Sequence, residues 1–216
     1  MSEQSRTVHV AVYDTFADWE TGHAIAHLRN GNWHQRPGGF EVRTVGISRE
    51  PVVSMGGMRV VPDLSLAELD PADSAMLILP GASGWDLVDE RLTEVSATAR
   101  AFLDAGVPVA AICGAVAGLA RAGLLDDRAH TSAAPEYLAA TGYAGGAHYM
   151  QADAVSADNL ITAGPTEPVA FAREIFARLD VYRPEVLDAW YRLFAKSDPS
   201  AYPVLVAART PAGAAR

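Results

Sequence analysis

Short apolar segments separated by stretches of helical spacing constrain this chain more than any other feature. Val8–Tyr13, Phe40–Gly46, Ser74–Leu79 and Val109–Ile112 read as strands, most of them continuous in apolar and β-branched residues as buried strands are. A helix from Thr15 to Arg29, opened by Thr15 with Asp18 three residues on, follows the first. Arg91–Ala105 places Leu92, Val95, Ala99, Phe102 and Leu103 on one side, as an amphipathic helix does. A small-residue helix, Gly114–Ala122, follows the fourth strand directly and ends at Gly123. Buried strands alternating with helices require a mostly parallel sheet covered on both faces, so the predicted fold class is α/β. Sites in such sheets lie at the carboxyl ends of the strands. The turns after Tyr13, Leu79 and Ile112 are therefore the places where chemistry is expected.

The remaining segments are consistent with this layout. Val52–Met55 and Met58–Val61 flank Gly56–Gly57 as a short hairpin, and Ala152–Ser156 with Leu160–Thr162 forms another through Asp158–Asn159. Ala129–Thr131 reads as a short strand and Pro135–Ala140 as a short helix. Glu167–Leu179 and Arg183–Ala195 read as helices, and Val204–Ala208 as a short extra strand. At 216 residues one domain is expected, with a core large enough to need no metal or disulfide. The division predicted is 1–182 for that domain and 183–216 for a C-terminal helical extension and tail.

Lys and Arg number 17 and Asp and Glu 26, a net charge of −9. With no basic run, this disfavours nucleic acid and a polybasic membrane anchor as partners. The longest apolar run, Val107–Ala120, is shorter than the about 20 residues a membrane helix needs. Residues 1–7 lack the apolar stretch of a signal peptide, and a single cysteine, Cys113, permits no internal disulfide. A cytoplasmic protein is expected.

Cys113 stands between strand and helix in Ala110-Ala111-Ile112-Cys113-Gly114-Ala115, the layout of a nucleophile elbow. The tight turn requires small neighbours, and Ala111, Gly114 and Ala115 are small. Backbone N–H groups at the helix start favour thiolate, lowering the thiol pKa below its free value of about 8.5. They also suit an oxyanion. A lone cysteine is otherwise a small buried apolar residue. At about 100° per residue, Glu20 falls within the apolar arc of Phe16, Ala17, Ala24 and Leu28. A carboxyl there is either a desolvated acid that donates to a thiolate and relays protons, or a solvated first-turn glutamate. Leu79-Pro80-Gly81-Ala82-Ser83-Gly84-Trp85 runs a strand into a glycine-rich turn whose N–H groups at Gly81 and Ala82 face the elbow. It is neither a P-loop nor a dinucleotide fingerprint. His23 and His27 share a helix face without a third metal ligand, so no metal and no cofactor are expected; their plain reading is a partly exposed face.

Together these segments resemble the ThiJ/PfpI superfamily, over about residues 7–182. The resemblance rests on Ala110-Ala111-Ile112-Cys113-Gly114 with Gly118-Leu119-Ala120 and Ala122-Gly123-Leu124-Leu125, on Leu79-Pro80-Gly81, on Glu20, and on Asn159-Leu160-Ile161-Thr162-Ala163 with Pro168–Ala172. It implies a flavodoxin-like three-layer sandwich, shared with class I glutamine amidotransferases, and a homodimer. It also implies a catalytic pair of Cys113 and Glu20, with oxyanion N–H groups at Ala82, Gly81 and Gly114. Protease-like members carry histidine directly after the nucleophile, where this chain has Gly114. The candidates for a third member are His130, Ser132 and His148. No histidine occurs in Gly164–Glu167, which counts against glutamine hydrolysis. The expected function is a cysteine-dependent hydrolase or a glyoxalase- or deglycase-like lyase on small carbonyl or amide substrates. The alternatives are a non-enzymatic oxidative-stress sensor or chaperone using the same cysteine and, behind it, a peptidase or amidotransferase.

Overall fold

The computed structural model describes residues 6–36 and 38–209. In chain order the strands are β1 (Thr7–Ala11), β2 (Glu41–Gly46), β3 (Val52–Val53), β4 (Arg59–Val60), β5 (Leu64–Ser65), β6 (Met76–Leu79), β7 (Val109–Ile112), β8 (Ala154–Ala157) and β9 (Leu160–Ala163). The α-helices are α1 (Asp18–Asn30), α2 (Ser83–Asp86), α3 (Leu92–Asp104), α4 (Gly114–Arg121), α5 (Pro135–Ala139), α6 (Pro168–Arg178), α7 (Pro184–Lys196) and α8 (Tyr202–Ala207).

Seven strands form one sheet in the order β5-β2-β1-β6-β7-β9-β8, parallel except for the β8–β9 hairpin; β3 and β4 pair apart from it. The core order β2-β1-β6-β7-β9 is that of flavodoxin-like folds. Its direction reverses between β1 and β6, and ligands bind in the crevice outside the carboxyl ends at such a reversal. The two-residue alternation of the strands divides the core into two layers. Leu77, Leu79, Val109 and Ala111 face α3 and α4 with Phe102 and Leu119. Met76, Ile78, Ala110 and Ile112 face the opposite layer with Leu28, Phe171, Phe176 and Trp190. The α/β class and the mostly parallel sheet flanked by helices are as the sequence pattern requires.

Several local readings change. Helix α1 begins at Asp18, because Thr15 takes a positive φ of 63° and its N–H goes to Val53 O instead of starting a helix. Val204–Ala208 lies within and just after helix α8 and forms no strand; Leu205 is buried, and that packing outweighs the β-branched composition. Ala129–Thr131 contributes only an isolated bridge between His130 and Tyr149. His27 does not lie on a partly exposed face. It is buried beneath Trp190 of α7, which its own helix pattern does not reveal. Among the described residues no helix is long and apolar enough to cross a membrane.

Candidate active site

Strand β7 ends at Ile112 and α4 starts at Gly114, leaving Cys113 to make the whole turn at φ 60°, ψ −128°. This is a left-handed conformation that costs an L-residue energy, as nucleophile elbows do. Two contacts hold it there. The Cys113 N–H donates to Ala163 O at the end of β9 (3.1 Å), and the Val116 N–H donates to Cys113 O (3.1 Å). The small neighbours are required. A Cβ on Gly114 would lie 3.0 Å from Trp85 Cβ, and one on Gly118 only 2.2 Å from Trp85 Cζ3. Cys113 itself stays half-buried.

Glu20, in the first turn of α1, is fully buried. Its Oε2 accepts the Gly81 N–H at 2.6 Å, while its Oε1 is buried with no hydrogen-bond partner among the described residues. The carboxyl and the thiol converge over the bare Cα of Gly81. A Cβ there would lie 2.9 Å from Glu20 Oε2, 2.9 Å from Cys113 Cβ and 3.0 Å from Cys113 Sγ. The structure thus brings together Cys113, Glu20, Gly81 and Gly114. It assigns the Gly81 N–H to the carboxylate, leaving it unavailable to an oxyanion. No described residue accepts the Ala82 N–H.

The electrostatics differ from a simple helix-dipole picture. Burial first, then the charge of Glu20 and its hydrogen bond, push the Cys113 thiol up to about 12, with the Gly114 N–H pulling the other way. The expectation of a lowered thiol pKa omitted this neighbour. Burial also raises the Glu20 carboxyl, against the Gly81 N–H and Cys113. Two anions side by side in a desolvated space are too costly, so at neutral pH the pair keeps a shared proton.

The other candidates fall in different places. His130 is fully buried and both ring nitrogens are engaged, Nδ1 with Arg128 O (2.9 Å) and Nε2 with Tyr143 Oη (3.0 Å). His148 is exposed, and its carbonyl accepts the His130 N–H. Ser132 is buried with Oγ unpartnered, and its carbonyl lies 3.3 Å from where a Cβ on Gly164 would sit, one residue after the Ala163 that holds Cys113. Among the described residues no group of three or more His, Cys, Asp or Glu is placed to hold a metal ion.

Sequence reasoning missed Tyr13, just past β1. Its hydroxyl donates to Pro80 O and accepts from Trp85 Nε1 (3.1 Å), fixing the residue before Gly81; burial raises its phenol pKa. It also missed Tyr137, whose hydroxyl donates to Asp86 Oδ1 at 2.6 Å. Position at a strand's carboxyl end was the available signal for Tyr13; for Tyr137 there was none.

A flavodoxin-like sheet with a strained cysteine at the elbow after β7 and a buried carboxyl beside its sulfur defines the class of nucleophile-elbow α/β proteins. The chain belongs to the DJ-1/PfpI family, whose model matches residues 6–178. It is 38% identical over 195 residues to the uncharacterized protease YoaZ of Bacillus subtilis, covering 88% of this chain and 91% of that one. The crystal structure of a thiJ/pfpI family protein from Bacillus anthracis superposes with a TM-score of 0.90 at 35% identity, over 97% of this chain and 99% of that one. A more distant relative, 27% identical over 146 residues (66% of this chain, 75% of that one), is the glutathione-independent glyoxalase DJR-1.2 of Caenorhabditis elegans.

Proposed function

We propose that this protein is a cysteine-dependent enzyme that converts small α-oxoaldehydes to 2-hydroxy acids, a glyoxalase-type lyase. The observation that carries the reading is the meeting of Cys113 Sγ and the buried Glu20 carboxyl over Gly81. In it Glu20 holds the shared proton on Oε1, the oxygen without another partner, and donates it toward a Cys113 thiolate that also receives the Gly114 N–H. The thiolate adds to the aldehyde carbon, and the oxyanion receives N–H groups from Ala82 and Gly114. Glu20 protonates that oxygen, removes the proton from the former aldehyde carbon and returns it to the adjacent carbon. The thiohemiacetal becomes a thioester by internal proton transfer, with no net redox change. Water then releases the 2-hydroxy acid and the thiol. Peptide cleavage instead needs an acid for the leaving amine, and both nitrogens of His130 are held elsewhere. The relative named as a glyoxalase supports the same reading.

The test is methylglyoxal consumption with lactate formation. Wild type should turn over, and Cys113→Ser should not. Absence of lactate from wild type, or undiminished turnover in Cys113→Ser, overturns the reading. A second reading, a redox sensor, draws on the unpartnered Glu20 Oε1, which is placed to hydrogen-bond an oxygen added to the sulfur. Mild peroxide giving stable sulfinate at Cys113, in a protein without turnover, would favour it.

A further inference from the structure

The largest cavity described is at the opposite pole from Cys113. About 460 Å³ in volume, it opens where β1, β2, β6 and β7 begin, and it is lined by Arg6, His34, Arg36, Phe40, Arg178 and Asp180, among others. In a chain of net charge −9, three guanidinium groups on one cavity against one lining carboxylate is a local reversal. Arg36 pairs with Asp180 at 3.3 Å. Arg178 hydrogen-bonds the neutral side chain of Asn159, and the Arg6 guanidinium lies over the Phe40 ring, 5.3 Å from its centre. Two positive charges thus remain without a carboxylate among the lining residues, the complement of a phosphate monoester dianion.

His34 supplies an independent observation. It is only 7% exposed, and its Nε2 lies 2.8 Å from His27 O. A carbonyl only accepts, so Nε2 carries the ring proton and Nδ1 is left as an acceptor. Nδ1 is buried and has no partner among the described residues. An anion alone does not satisfy it; a ligand hydroxyl does.

We propose that this cavity is a second ligand site for a small phosphate monoester bearing hydroxyl groups, its phosphate held by Arg6, Arg36 and Arg178 and one hydroxyl donated to His34 Nδ1. The volume suits a sugar phosphate or a mononucleotide, within the range of small-molecule sites. Because the cavity lies at the strands' amino ends, its occupancy is separable from chemistry at Cys113.

The test is calorimetric titration of the full chain with ribose 5-phosphate, inorganic phosphate and ribose. Ribose 5-phosphate should bind saturably and at least about tenfold more tightly than inorganic phosphate, and ribose alone should not bind. Arg178→Gln and Arg6→Gln should each weaken ribose 5-phosphate about tenfold or more, while the rate of Cys113 alkylation stays at the wild-type value. In nitrogen NMR of the unsubstituted protein, the His34 Nδ1 resonance should move toward its hydrogen-bonded position as ribose 5-phosphate is added. The proposal is overturned if ribose 5-phosphate shows no saturable binding, if neither arginine variant weakens it, or if Nδ1 does not respond. The last two outcomes would leave the arginines merely offsetting the carbonyl end of α6.

Discussion

Gly81 donates its N–H to Glu20 Oε2 at 2.6 Å, and its missing side chain is the space in which that carboxyl meets Cys113. A methyl group there has no cheap escape. Its nearest atoms would be Glu20 Oε2 and Cys113 Cβ at 2.9 Å and Cys113 Sγ at 3.0 Å. Cys113 is pinned through Ala163 O, and Glu20 belongs to a buried helix turn. Gly81→Ala should therefore cost about 1–3 kcal/mol of stability by overpacking. It should also lower turnover about 100-fold, since displacements on the order of 1 Å in a reacting pair cost that much. Thermal melting and methylglyoxal kinetics on the same preparation check both. A folded Gly81→Ala protein with wild-type turnover would show that the spacing of the pair is unimportant.

Glu20→Gln separates a donor role from a base role. The amide can still donate to the sulfur but cannot relay a proton. Turnover should fall by about 10²–10⁴ while the Cys113 pKa moves by less than about one unit. If Glu20 instead rests as the anion, removing its charge removes one of the causes that push the thiol up to about 12. The pKa would then drop by several units and alkylation at neutral pH would accelerate. Thiolate absorbance against pH, in wild type and Glu20→Gln, distinguishes these outcomes.

What could be read from the sequence follows from which features are local. The strand-to-helix turn at Cys113 was legible because both elements and their small neighbours are contiguous, and the arc containing Glu20 followed from helical periodicity. That the Gly81 N–H goes to Glu20 was not legible. It depends on β6 lying beside β1 in the sheet, a long-range fact. The thiol's upward shift was missed for the same reason, since its second cause is a carboxyl 93 positions away in the chain. His27 looked half-exposed because α1 alone is polar on that side; only the docking of α7 buries it.

Trp85 and Gly118 make a second close fit that stability measurements can read. A Cβ on Gly118 would lie 2.2 Å from Cζ3 and 2.5 Å from Cε3 of the indole. That ring is held by Nε1 hydrogen bonds to Tyr13 Oη (3.1 Å) and Pro80 O (3.2 Å). Gly118→Ala should destabilise by about 3 kcal/mol. Trp85→Phe shortens the ring and should recover part of that loss, giving a coupling of about 1 kcal/mol or more in a double-mutant cycle. Denaturant unfolding of the four proteins measures it, and strict additivity would mean that the two residues do not compete for space.

His27 ties acid stability to the docking of α7. Its Nε2 accepts the Trp190 Nε1–H at 3.3 Å, and Nδ1 is buried without a partner. Burial first, then His23 and His34, lower its pKa to about 4. The folded value is below the ordinary 6.5, so between about pH 6.5 and 4 the unfolded chain binds the proton more readily. The stabilisation is complete above about pH 6.5 and is lost progressively as pH falls toward 4. Protonation would also turn Nε2 into a donor facing the Trp190 donor. Over that window His27 should account for about 2 kcal/mol, a reduced figure that allows for residual solvent screening. His9, His34 and His130 are also lowered by burial and act with the same sign, whereas the raised Glu20 acts with the opposite one. The informative quantity is therefore the difference between wild type and His27→Phe, measured by denaturant unfolding at each pH. The two curves should run parallel above pH 7 and diverge below about 6.5, with the variant losing less. Curves that remain parallel down to pH 4 would show that His27 does not couple protonation to folding.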